Sequence, residues 1–119
     1  NPQSSVAALE TLVLFDVPYK IAVFADMLDL GDQSDLIHFQ LGKQTARYGV
    51  SEVLTYGEMG AYIAQGAIDQ SDGSVHVHHF ADKAKLIAYL MPYRNKECMI
   101  LIKGSRSMKM DEVVDALIQ

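Results

Sequence analysis

Hydrophobic and polar positions along the chain alternate between two spacings. Residues 20–25, 52–56, 75–80 and 98–102 form short runs of apolar and β-favouring side chains, the length of strands in a covered sheet. Between these runs, apolar residues recur every three or four positions. Val6, Leu9, Leu12 and Val13 mark the buried side of a helix over 2–15, and Ile37, Leu41, Thr45 and Tyr48 mark one over 34–49. Tyr62, Ile63 and Ala67 do the same for 59–68, and Leu86, Ile87, Leu90 and Met91 for 82–93; a last helical pattern covers 108–118. Asn1-Pro2 is a favoured helix start, Val17-Pro18-Tyr19 breaks the first helix, and Ser34 is a candidate N-cap. Gly49 closes the second helix, Gly57 is a turn, 69–74 is a polar loop, and Pro92 helps stop the fourth helix. Strands alternating with amphipathic helices predict an α/β domain whose parallel sheet is covered by helices on both faces.

In such sheets ligands sit outside the carboxyl ends of the strands. Two polar loops fall at that position. The first, 26–32, holds Asp26, Asp29 and Asp32, which can cap the next helix or hold a cation through water. The second is Lys103-Gly104-Ser105-Arg106, where the last apolar run passes into a helix. Lys103 supplies a mobile ammonium, Arg106 a planar fork that grips a carboxylate or phosphate, Ser105 a hydroxyl, and Gly104 room for a tight turn or a close ligand. The alternative is a solvated basic loop with Ser107 as an N-cap. If the strands ahead of the two loops are neighbours, acidic and basic groups face one cleft.

Composition narrows the class. The chain has 119 residues, half of them hydrophobic, enough for one domain with a real core. A net charge of -5 without a dense Lys/Arg block gives no electrostatic support for nucleic acid or an anionic membrane. The one cysteine, Cys98, lies in an apolar run and reads as a buried structural thiol, which points to a reducing cytoplasm. No stretch has the length of a membrane span or the layout of a signal peptide. The first residue is Asn rather than Met, so a domain cut from a longer chain is expected.

Other residues weigh less. His76 and His78 share a strand face and His79 points the other way, without partners at ligand spacing, so no metal site is expected. His38, on the helix after the acidic loop, reads as a solvated histidine of the first turns or as a site residue. The six methionines read as core filler.

Several of these stretches together resemble one family. Asn1-Pro2, then Phe24-Ala25-Asp26-Met27-Leu28-Asp29-Leu30-Gly31 with His38 downstream, then His79-Phe80, then 103–114 with Lys103-Gly104-Ser105-Arg106, are similar to the C-terminal domain of the Mur ligases. The likeness is strongest to the members that add D-alanyl-D-alanine. The resemblance implies a three-layer, Rossmann-like, mostly parallel α/β/α domain spanning 1–119, set behind N-terminal and central domains in a cytoplasmic, monomeric bacterial enzyme. That enzyme would join D-alanyl-D-alanine to UDP-N-acetylmuramoyl-tripeptide with ATP and Mg2+, through an acyl phosphate. By the same resemblance, Lys103, Ser105 and Arg106 face the dipeptide, Asp26 and Asn1 face the nucleotide when the domain closes, and Gly31, His38 and Gly104 support them.

Two positions depart from the family pattern: Ala25 stands where Gly is usual, which bears on how closely backbone approaches a ligand, and Asp29 stands where Glu is usual. No Gly-x-x-x-x-Gly-Lys-Ser/Thr motif occurs, so the chain lacks the usual means of holding ATP phosphates and is expected to be inactive alone. Related ligases, including folyl-polyglutamate synthases, share the domain type. From other classes, a phospho-receiver module would need an aspartate near Thr55-Tyr56-Gly57, and a free-standing anion-binding domain would need its own start.

Overall fold

A computed structural model describes residues 1–119. Nine regular elements alternate along the chain: α1 (Pro2–Leu12), β1 (Tyr19–Ala25), α2 (Ser34–Arg47), β2 (Glu52–Tyr56), α3 (Gly60–Ser71), β3 (His76–Phe80), α4 (Lys83–Leu90), β4 (Cys98–Lys103) and α5 (Asp111–Ile118). All strand pairs are parallel, and the order across the sheet is β3-β2-β1-β4. The chain winds outward from β1 to β3, then crosses back over β2 and β1 to place β4 on the far side. Strand order therefore reverses between β1 and β4, the switch point of a doubly wound sheet. No helix is long and apolar enough to cross a membrane.

The sheet has a core on each face. Leu9 of α1, Leu41 of α2 and Ile63 and Ala67 of α3 pack with Ala22, Phe24 and Val53. On the other face Leu86 and Leu90 of α4 and Val113 of α5 pack with Ile21, Val23 and Leu54. Alternate residues of β1 thus point into opposite cores, which is why that strand is apolar throughout. Helices α2 and α3 approach until their backbones touch. A Cβ on Gly42 would lie 1.9 Å from the Ile63 carbonyl oxygen, and one on Gly66 would lie 2.0 Å from that of Phe39.

Several element ends differ from those expected. α1 stops at Leu12, because Leu14 and Phe15 have left the core and are exposed. Ser34 is the first residue of α2, behind a 3-10 turn over Gly31–Gln33, so it is not an N-cap. α3 runs on to Ser71, where Asp72 ends it in the left-handed conformation, so the polar loop is shorter than 69–74. Tyr62 lies on the outer side of that helix, 41 % exposed. The fourth helix is α-helical only to Leu90, with Asp82 as its N-cap. Proline has no N–H and its ring crowds the carbonyl four residues back, so Met91–Asn95 tightens to 3-10 geometry. Ser107 lies inside a 3-10 turn over Arg106–Met108 rather than capping α5. Cys98 is half-buried rather than buried, and of the methionines only Met27 and Met110 are fully in the core.

At the amino edge of the sheet, Glu52 opens β2 with 1 % exposure. The Tyr19 and Tyr93 hydroxyls donate to its Oε2 at 2.6 Å each, and the Tyr89 hydroxyl donates to Oε1. Burial alone would raise the Glu52 pKa, but the three phenol donors outweigh it and hold the group below its ordinary value. A depressed carboxylate contributes stability above its unfolded pKa and loses it as pH falls through the folded one. Glu52→Gln is therefore expected to lower the urea midpoint at pH 7, and the gap to wild type should shrink as pH drops below about 4.5. Gly66→Ala should cost about 3 kcal/mol, since two backbones must separate to admit the methyl; a urea melt within 0.5 kcal/mol of wild type, roughly the scatter of a neutral surface change, would show that the helices do not touch as described.

Candidate functional site

The reversal of strand order brings the acidic and the basic loop together. Phe24 and Lys103 are register partners at the carboxyl ends of β1 and β4. Beyond them, the Ser105 N–H donates to the Asp26 carbonyl at 2.9 Å, and the Leu28 N–H donates to Ser105 Oγ at 2.7 Å. These two bonds fasten the loops to each other. Gly104 makes the approach possible, since a Cβ there would sit 2.8 Å from that of Ala25. Ala25 is buried beneath it. Its methyl is the nearest atom to that position, so the departure at 25 bears on how the two loops pack.

Asp26 and Arg106 thus occupy the same end of the sheet, but their surroundings differ. Asp26 is 8 % exposed, and its Oδ1 accepts from the Gly60 N–H at 2.8 Å, at the start of α3. A carboxylate is favoured there by the unpaired amides of a helix N-terminus. One oxygen is therefore committed to the fold and only the other can meet a ligand. Next to it, His79 Nδ1 bonds Thr55 Oγ1 at 2.8 Å. Desolvation pushes the His79 pKa below its ordinary value, and the Asp26 charge opposes that shift. Of these three residues the sequence signals only His79, through the His79-Phe80 stretch of the family resemblance; the Thr55 and Gly60 contacts depend on the fold.

The remaining candidates divide into supports and free groups. His38 is fully buried, not solvated. Its Nε2 accepts from the Met27 N–H at 2.9 Å and its Nδ1 lies 2.6 Å from the Ser34 carbonyl, so the proton sits on Nδ1 and the ring ties the acidic loop to α2. Asp29 (φ 62°) and Gly31 (φ 76°) are both left-handed and exposed; a short acidic side chain tolerates that backbone better than a long one. Asn1 caps α1 through the Ser4 N–H at 2.8 Å, so its side-chain oxygen serves the helix. Lys103 Nζ donates to Ser4 Oγ at 3.2 Å, turned toward α1. Ser105 has its oxygen engaged and only its proton left to offer. Arg106 is exposed and enters neither of the fold's two ion pairs, Lys43–Asp69 and Lys83–Glu112. It lines an open cleft of about 650 Å³ with Lys103, Gly104 and residues of α5. No group of three or more His, Cys, Asp or Glu side chains is placed to hold a metal ion.

These features define a doubly wound α/β domain with an acidic and a cationic loop joined at its switch point. The sequence pattern described as "Mur ligase, glutamate ligase domain" matches residues 1–106. The chain belongs to that family. It is 35 % identical over 120 residues to the UDP-N-acetylmuramoyl-tripeptide--D-alanyl-D-alanine ligase of Bacillus subtilis, covering 100 % of this chain and 26 % of the relative. To the ligase of the same name from Escherichia coli it is 38 % identical over 120 residues, covering 98 % and 25 %. The crystal structure of MurF from Acinetobacter baumannii superposes with a TM-score of 0.82 at 25 % identity, over 100 % of this chain and 26 % of that one. MurF from Thermotoga maritima, solved in complex with ADP, shares the fold with a TM-score of 0.76 at 21 % identity, over 98 % and 25 %. The chain spans about a quarter of the length of these relatives.

Ser105→Ala removes the acceptor that holds the Leu28 amide. The variant should lose about 1 kcal/mol of stability, and hydrogen exchange should show faster exchange at Leu28 with the β1 amides unchanged.

Proposed function

We propose that residues 1–119 form the C-terminal domain of an ATP-dependent, cytoplasmic ligase that joins D-alanyl-D-alanine to UDP-N-acetylmuramoyl-tripeptide, as the names of its relatives describe. N-terminal and central domains would precede it, and the domain alone would not turn over. ATP phosphates and Mg2+ do not fit the residues present here, which offer neither a phosphate-binding loop motif nor a metal cluster. Those groups would be held elsewhere in the longer protein.

What this chain supplies is orientation. Placing an amine against an activated carboxyl group is mainly a matter of geometry, and a well-held nucleophile gains much of its rate from that alone. The observation that carries the proposal is the unpaired Arg106 guanidinium over an open cleft formed by the end of β4, its loop and α5. Its fork accommodates the dipeptide carboxylate with two parallel hydrogen bonds, which sets direction as well as affinity. Ser105, fastened to Leu28 and Asp26, keeps the loop beneath it in place. Lys103, drawn toward Ser4, adds positive potential rather than a direct contact. Asp26 and Asn1 would face the nucleotide on closure through the polar atoms they do not spend inside the fold.

In the full-length ligase, Arg106→Ala should raise the KM for D-alanyl-D-alanine roughly ten- to a hundredfold, the loss of a charge-assisted contact, while the KM for ATP stays put. Wild-type dipeptide kinetics would remove Arg106 from the site. Asp26→Asn keeps the acceptor for Gly60 and deletes the charge. It should alter the ATP parameters, and unchanged ATP and dipeptide kinetics together would rule out its nucleotide-facing role.

A further inference from the structure

The cleft beside Arg106 holds both signs of charge. Asp111, the first residue of α5, also lines it. Ile102, Met110 and Val114 line the same cleft. Opposite charges lining one cleft would ordinarily pair. Here they do not, for Lys43–Asp69 and Lys83–Glu112 account for the ion pairs of the fold. A carboxylate in the first turn of a helix is stabilised by the helix dipole whatever else it does. That accounts for an acid at the start of α5, but not for its sharing a cleft with a guanidinium to which it is not paired.

We propose that this cleft is a zwitterion subsite in which Asp111 receives the ammonium group of a short peptide whose carboxylate is held by Arg106. Ile102, Met110 and Val114 cover the small apolar side chains between the two ends. The inference rests on the dipeptide reading given above and adds a positioning residue to it. A free dipeptide carries one charge of each sign, which matches Asp111 and Arg106; Lys103, the third charged residue lining the cleft, is bonded to Ser4 Oγ. An N-blocked peptide lacks the ammonium and an amino acid with a charged side chain would bury that charge on the apolar wall, so both are disfavoured.

The test uses the full-length ligase, with D-alanyl-D-alanine as substrate and N-acetyl-D-alanyl-D-alanine as a competitor that lacks the ammonium group. Asp111→Asn should raise the dipeptide KM about tenfold, within the range for a charge-assisted contact near the surface, with the ATP KM unchanged. Asp111→Glu should restore most of the loss, and inhibition by the N-acetyl competitor should be the same in Asp111→Asn as in wild type. Equal weakening of both ligands would mark a structural effect and overturn the inference, as would a wild-type KM in Asp111→Asn. If Asp111→Asn is silent while Arg106→Ala raises the KM, the ammonium subsite fails and the dipeptide reading stands. If both are silent, the dipeptide reading fails with it.

Discussion

Parallel pairing of β1 with β4 is the constraint from which the site follows. Because β1 already pairs with β2 on its other side, the chain must leave the β3 edge, cross the sheet and return beside β1. The loops after β1 and β4 then emerge side by side and diverge toward opposite faces, one into α2 and the other into α5. The crevice left by that divergence would be open on a bare scaffold. Here Ser105 bridges it, with its amide on the Asp26 carbonyl and its oxygen on the Leu28 amide. The bridge makes the acidic and cationic loops one unit with a fixed spacing, so a ligand meets a preorganised surface rather than two independent loops.

Rigidity elsewhere supports that surface. The α2–α3 pair touches backbone to backbone at Gly42 and Gly66, and α3 in turn presents the amide that Asp26 accepts. His38 fastens the start of the acidic loop to α2. The two elements that flank the loop are therefore themselves locked together, and the loop inherits their order. Arg106 stands outside this network, exposed and in no ion pair.

The architecture was legible from hydrophobic spacing because every buried position of β1 is apolar and the helices carry regular stripes. The adjacency of β1 and β4 was only a condition at that level, since spacing within elements says nothing about strand order. Helix ends were misjudged where local signals competed: Leu14 and Phe15 continue an apolar pattern that the tertiary fold leaves in solvent, and Pro92 converts a helical turn without ending it at once. In the site, the charged groups could be read from their residue types, but their commitments could not. That Asp26 caps α3, that Lys103 turns to Ser4 and that His38 is a buried strut depend on contacts with residues far away in sequence.

The cluster around Glu52 also determines what optical methods will detect. The chain has no tryptophan and six tyrosines, and Tyr19, Tyr89 and Tyr93 gather on one carboxylate at the amino edge of the sheet. Their near-ultraviolet absorbance and emission are coloured by that shared acceptor and by the stacking of Tyr19 on Tyr93, whose ring centres are 5.9 Å apart. Much of the intrinsic chromophore signal therefore originates at the pole remote from Arg106. It will follow unfolding closely and stay nearly silent to ligands entering beside Arg106, so occupancy there calls for an introduced label.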